Sequence, residues 1–170
     1  KFHLKKSGIS EMEVLASEAA GAGAIDMALV LQNEATKAGL KLNVKRVPSE
    51  GYWGTVWMNS PFHISGWNMR PTAYVMLELA YGPAAPWNES VWKNERMGVL
   101  LQETRGTTDP GKRAQLFCEM QTLVRAEAGS PLPMHSSYLD GISTKIKGVP
   151  GVPLAQLGGC EWPEFVWVDS

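Results

Sequence analysis

Cysteine is scarce in this chain: only Cys118 and Cys160 occur among 170 residues. They lie far apart, form no CxxC pair and have no histidine at ligand spacing, which argues against a structural zinc or a redox motif. Their spacing leaves open whether they form a disulfide. Excess charge of one sign is also absent. Sixteen basic and 17 acidic residues leave a formal net charge of -1, which gives no general attraction to nucleic acid or to an anionic membrane surface. Nucleic acid is therefore not an expected partner. No apolar run approaches the roughly 18 residues that a membrane span needs, and the longest apolar neighbourhood, Ala24 to Leu31, is broken by Asp26. The chain opens on Lys1 with no basic-then-apolar leader, so a segment lost from upstream of it is expected.

The signatures of common chemistry are missing too. There is no GxxxxGK(S/T) phosphate loop, no HExxH and no GxSxG nucleophile elbow. Gly21-Ala22-Gly23 resembles the start of a dinucleotide fingerprint, but Asp26 stands at the third glycine position, where it obstructs close packing of helix on strand. His3, His63 and His135 are scattered without ligand spacing and read as surface or packing residues. Neither a metal, a cofactor nor a catalytic residue is expected. Asn88-Glu89-Ser90 matches a glycosylation sequon, a pattern short enough to arise by chance.

What is present is a chain with 44% apolar and 19% charged residues, the composition of one that buries a core. Met12, Val14 and Ala16 alternate as a strand, a Gly/Ala stretch follows, and Ile25 to Ala38 reads as a helix stopped by Gly39. Leu42 and Val44 mark a second strand, which completes a βαβ-like unit. Tyr52 to Met58 reads as a short aromatic helix and Phe62 to Trp67 as a third strand. Thr72, Asn94 and Asp109 stand as N-caps before three helices that end near Gly82, Gly106 and Gly129. In the last of these, Leu116, Met120, Leu123 and Val124 form the apolar stripe. Leu132 to Tyr138 contains Pro133 and suits an edge strand or an extended crossing segment. Ile142, Thr144 and Ile146 alternate as another strand, and Phe165 and Trp167 as a terminal one. The alternation of strands and helices predicts an α/β architecture with a mixed sheet.

The candidate functional residues are aromatic and polar: Tyr52, Trp53 and Trp57, then Trp67, Asn68, Arg70 and Tyr74, then Trp87, Asn88 and Trp92. Flat apolar faces with a hydrogen-bonding edge hold a small ligand while freezing few rotamers, so this set points to recognition rather than bond making. Arg70 stands out because Pro71-Thr72 follows it at the start of a helix, where a guanidinium and helix N-terminal amides both suit an anion. Taken singly, each tryptophan fits a core better than a ligand site, and Arg70 fits a solvated surface as well as an anion site.

Several strings, in this order and spacing, resemble the family 5 solute-binding proteins, the dipeptide and oligopeptide binding group of bacterial ABC importers. They are Ala35-Thr36-Lys37-Ala38-Gly39-Leu40, Leu42-Asn43-Val44, Gly51-Tyr52-Trp53, Gly66-Trp67, Trp87-Asn88, Lys112-Arg113, Glu119-Met120-Gln121 and Pro131-Leu132-Pro133. The resemblance implies an α/β, periplasmic-binding-protein type II-like lobe with a mixed sheet flanked by helices. Residues 1–147 would form a C-terminal ligand-binding lobe, and 148–170 an irregular tail returning to an N-terminal lobe that this chain lacks. It further implies a peptide-like or other small solute, an ABC permease as partner, a periplasmic or extracytoplasmic location, and a ligand site at Trp67, Asn68, Arg70, Tyr74, Trp87 and Asn88. Peptide-binding members commonly carry an aspartate soon after the Gly-Trp pair to hold the peptide's amino group. This chain reads Asn68-Met69-Arg70 there. A guanidinium stays protonated at ordinary pH, repels an ammonium and favours a carboxylate or phosphate. Two rival readings stand beside this one: a small α/β hydrolase using His63 or His135 with Asp140, and a structural or protein-interaction domain whose aromatics form an interface.

Overall fold

The computed structural model describes residues 1–152 and 155–169 and divides into two units, Lys1–Trp67 and Asn68–Ser170. The first begins with α1 (Phe2–Ser7), whose residues are all at least partly exposed. Strand β1 (Glu11–Ala16) and strand β2 (Lys41–Arg46) pair in parallel, Glu11 opposite Lys41 through Ala16 opposite Arg46. Helix α2 (Ala24–Ala38) makes the crossover between them. It ends where Gly39 adopts φ 97°, a left-handed conformation open to glycine, and the Gly39 amide closes onto the carbonyls of Ala35 and Thr36. Val14, Ala16, Ala24, Ala28, Leu42 and Ile64 form the buried core of this unit. The inward faces of β1 and α2 thus meet as their periodicity predicts.

The expected third strand is reduced to one bridge. Leu15 donates to the Phe62 carbonyl at 3.1 Å and accepts from the Ile64 amide at 2.9 Å, in parallel register with His63. Pro61 has no amide to extend the ladder backward, and beyond Ile64 the chain turns so that Gly66 lies directly against the Ala20 carbonyl oxygen. The aromatic helix α3 (Tyr52–Thr55) is likewise shorter than its composition predicts, and turns follow it.

The second unit is built on three helices: α4 (Ala73–Tyr81), α5 (Glu95–Gly106) and α6 (Pro110–Glu127). Each carries the cap read from sequence. The Thr72, Asn94 and Asp109 side chains accept from the amides of Val75, Met97 and Lys112 at 3.3, 3.0 and 2.7 Å. The three helices pack on one another and bury Leu77, Ala80, Tyr81, Met97, Leu100, Leu101, Thr104, Leu116, Met120 and Val124; Leu123 is half-buried. A two-pronged Arg96–Glu119 bond, at 2.7 and 2.9 Å, ties α5 to α6. Arg113 closes the C-terminal end of α5 by donating to the carbonyls of Thr104 and Thr107.

Residues 131–145 form neither helix nor strand and are exposed throughout. Pro131 and Pro133 remove two amide donors, and the alternation over Ile142–Ile146 becomes only β3 (Ile146–Lys147). That strand pairs antiparallel with β4 (Trp167–Val168). The molecule is α/β as expected, with the strands among the described residues shared between one small parallel sheet and one small antiparallel sheet. Among the described residues no helix is long and apolar enough to cross a membrane. Cys118 and Cys160 are both exposed and unpaired.

Candidate functional site

The segment entering α4 holds the most suggestive group of side chains. Proline at 71 keeps the residue before it out of the helical region, so the chain reaches Thr72 extended and the helix starts one residue later. From this entry the Arg70 guanidinium turns back and its Nη1 donates to the carbonyls of Asn68 and Met69 at 2.9 and 3.2 Å. Its central carbon lies 5.7 Å from the centroid of the Trp87 ring, a cation–π distance. Trp87 is held there because its amide donates to the Leu79 carbonyl near the end of α4 at 3.2 Å. The Asn68 Oδ1 accepts from the Tyr138 hydroxyl at 2.8 Å, a bond between residues 70 positions apart. Asn68 is exposed, Arg70 half-buried and Trp87 39% exposed, so the cluster is open to a solute. It combines a permanent cation, an aromatic face and a carboxamide.

Tyr74 belongs to a second arrangement, one turn along α4. Its hydroxyl donates to Glu78 Oε1 at 2.9 Å and accepts from Arg105 Nε at 3.0 Å, while the Arg105 guanidinium lies 5.8 Å from the centroid of the Tyr74 ring. Burial, reinforced by the Glu78 bond, pushes the Tyr74 phenol above its ordinary value; the bond from Arg105 opposes the shift. These three residues line one end of a groove of about 630 Å³ between α4 and α5, walled by Pro83–Pro86. Asn88 is committed to its own loop: Nδ2 donates to the Trp92 carbonyl at 2.5 Å and Oδ1 accepts from Ser90 at 3.1 Å. Trp92 in turn packs edge-on against the buried Tyr81.

In the first unit, Trp67 is half-buried and follows Gly66 at the end of the segment bridged to β1. Ser17 and Ser49 follow the carboxyl ends of β1 and β2, with their hydroxyls 3.4 Å apart. Tyr52 is buried and donates to the Ile64 carbonyl, while Trp53 and Trp57 stack edge to face beside it. Tyr52 is therefore a core residue, and Trp53, 46% exposed, is the accessible member of that trio.

Of the residues predicted from sequence, the second unit brings Asn68, Arg70 and Trp87 into one cluster. It places Tyr74 in another and uses Asn88 to shape the Trp87–Trp92 loop. Tyr138, Glu78 and Arg105 did not emerge from the sequence. The Tyr74–Glu78 pair has the i, i+4 spacing that would have exposed it; Tyr138 carries no comparable local signal. The Asp140 carboxylate of the hydrolase reading accepts from the Leu157 amide at 2.7 Å, and among the described residues it has no bond to His135. No three His, Cys, Asp or Glu side chains among the described residues converge as a metal ion would require.

No protein-family profile matches this sequence, and no curated protein matches it. Solved structures do. NikZ from Campylobacter jejuni, in complex with Ni(L-His), superposes on 70% of this chain with a TM-score of 0.59 at 16% identity. AppA from Clostridium difficile, assigned as a peptide binding protein, superposes on 74% with a TM-score of 0.62 at 18% identity. This chain shares their fold. The matches cover 25% of NikZ and 27% of AppA, so the chain spans about a quarter of either protein. The α/β fold class expected from the sequence is the fold class found, and it is shared with these two proteins.

Proposed function

We propose that this chain is the C-terminal ligand-binding lobe of the solute-binding component of an ABC importer, and that it captures a small anionic or peptide-like solute. Residues 1–147 form the lobe, and 148–170 return to an N-terminal lobe supplied by the rest of the protein. The solute bridges the two lobes and stabilises the closed form, which a membrane permease recognises on the extracytoplasmic side. No covalent step is involved. Trp67, Asn68, Arg70, Tyr74, Trp87 and Asn88 form the lobe's contribution, with Asn88 acting through the loop that carries Trp87.

The observation that carries this reading is the Arg70 guanidinium stacked 5.7 Å over Trp87 beside Asn68, in a fold shared with two binding proteins. A guanidinium beside an aromatic face favours a planar anion with an apolar body and opposes a free ammonium. The test is a calorimetric titration of the complete protein with N-acetylated and free-amine dipeptides, repeated with Arg70→Ala. The N-acetylated acid binds more tightly, and Arg70→Ala weakens it about tenfold, the loss of one charge-assisted hydrogen bond. Tight uptake of free-amine peptides, unchanged in Arg70→Ala, would sink the proposal. The 170-residue lobe alone offers half a cleft and binds the same probes far more weakly.

A further inference from the structure

We infer that the Trp87–Trp92 loop is a strained two-state element and that Val91 is the positioning residue that sets its balance, and with it how often Trp87 stands against Arg70; the consequence for a solute rests on the Arg70-centred reading above. Val91 has φ 56°, and among the described residues it is the β-branched one of the non-glycine residues with positive φ. In that left-handed region a Cβ crowds the following carbonyl oxygen, and branching at Cβ worsens the crowding. Packing does not compensate, because Val91 is 74% exposed. What holds Val91 there is hydrogen bonding around it. Its amide donates to the Asn88 carbonyl at 3.1 Å. The Asn88 side chain brackets it, donating from Nδ2 to the Trp92 carbonyl and accepting at Oδ1 from the Ser90 hydroxyl, which itself accepts from the Trp92 amide at 3.4 Å. The bonds and the strain oppose each other: relaxing Val91 to the extended region opens the bracket, and removing the bracket lets Val91 relax.

The two ends of the loop are held unequally. Beyond Val91, Trp92 packs edge-on against the buried Tyr81 and the chain enters α5 at the Asn94 cap. Ahead of it, Trp87 is an exposed residue whose amide bonds to the Leu79 carbonyl. Relaxation is taken up on the Trp87 side and lifts that ring away from the guanidinium. The strained state is the one that presents a stacked cation, so a solute that uses the Trp87 face selects it, and affinity scales with the fraction of molecules in that state. An L-residue disfavours the left-handed region by about tenfold, whereas glycine enters it freely. Valine at this position therefore keeps the loop releasable.

The experiment is fluorine NMR of the complete protein labelled with 5-fluorotryptophan. The Trp87 signal is assigned by its loss in Trp87→Phe, and the exposure of the ring is read from its shift between H2O and D2O; no solute is needed. Asn88→Ala removes the bracket and leaves the strain, so the Trp87 ring becomes more exposed. Adding Val91→Gly to that variant removes the strain as well, and the signal returns towards its wild-type position. Calorimetry with N-acetyl-Ala-Ala follows the same order: Asn88→Ala binds about fivefold to tenfold more weakly, and Asn88→Ala/Val91→Gly recovers most of the loss. A merely structural role for Asn88 predicts no rescue, since Val91→Gly only adds freedom to a loop already loosened. Val91→Gly alone keeps the bracket and holds the ring at least as closely as wild type; a more exposed ring in that variant overturns the inference even where Asn88→Ala does not fold. A Trp87 signal unmoved in Asn88→Ala, or moved and not restored by Val91→Gly, overturns it too. Restored fluorine signals with no probe bound by wild type or any variant would leave the loop standing and sink the solute reading.

Discussion

Gly66→Ala should destabilise the first unit, although it adds only one methyl group. A Cβ at this position would overlap the Ala20 carbonyl oxygen, with the Ala20 carbonyl carbon 3.0 Å away. The obstacle is backbone, so no side-chain rotation relieves it. That backbone is itself held: the Ala20 amide donates to Ser17 O and the Gly21 amide to Glu18 O, both at 3.1 Å, while the buried Ser17 hydroxyl accepts from Ala19. Either this turn or the Gly66-Trp67 segment must move, and overpacking of this kind costs about 1–3 kcal/mol. Each kcal/mol lowers Tm by roughly 2–4 °C in a protein of this size. Thermal melts followed by circular dichroism should therefore show a fall of several degrees. Gly54→Ala is the control. It lies in α3 with nothing within 4 Å of an added Cβ, and should leave Tm unchanged or slightly raised. A Gly66→Ala protein that melts with wild type would refute the packing argument.

Three further outcomes follow from the second unit. Met120→Ala empties a fully buried position between helices and should cost about 2–5 kcal/mol, readable in urea denaturation. Asp109→Ala removes the 2.7 Å cap on α6 and should cost about 1 kcal/mol, with Asp109→Asn recovering most of it. Burial raises the Tyr81 phenol above 10.0; a hydrogen bond with Ser130 opposes the shift and the Glu89 charge adds to it. Folding thus favours the neutral phenol, and this stabilisation is present below 10.0 and lost as the pH rises through the folded value. Absorbance titration should find a late-appearing phenolate in wild type that is missing from Tyr81→Phe, and alkaline unfolding should come with its ionisation.

The helices were legible because their signals are local. Thr72, Asn94 and Asp109 each cap within three residues, and the Pro71 and Pro110 positions fix where the turns begin. The β1–α2–β2 unit was legible for the same reason, alternation followed by a helical period and a terminating Gly39. The third strand was not. Whether Phe62–Trp67 pairs fully depends on Pro61 and on the approach of Gly66 to Ala20, a contact 46 residues distant that no periodicity reveals. Ile142, Thr144 and Ile146 had the alternation of a strand, but among the described residues only Ile146 and Lys147 of that stretch find a partner strand, and composition cannot supply one. At the candidate site the residue types were readable and their pairings were not. Sequence named Asn68, Arg70, Tyr74 and Trp87 together, yet the structure separates Tyr74 into a cluster with Glu78 and Arg105 and brings in Tyr138.

The most direct test of anionic solute capture is native mass spectrometry of the complete protein purified from its own host, with any retained molecule released and identified. The account predicts a carboxylate- or phosphate-bearing solute that is lost from Arg70→Ala. A free-amine peptide retained equally by both proteins would contradict it.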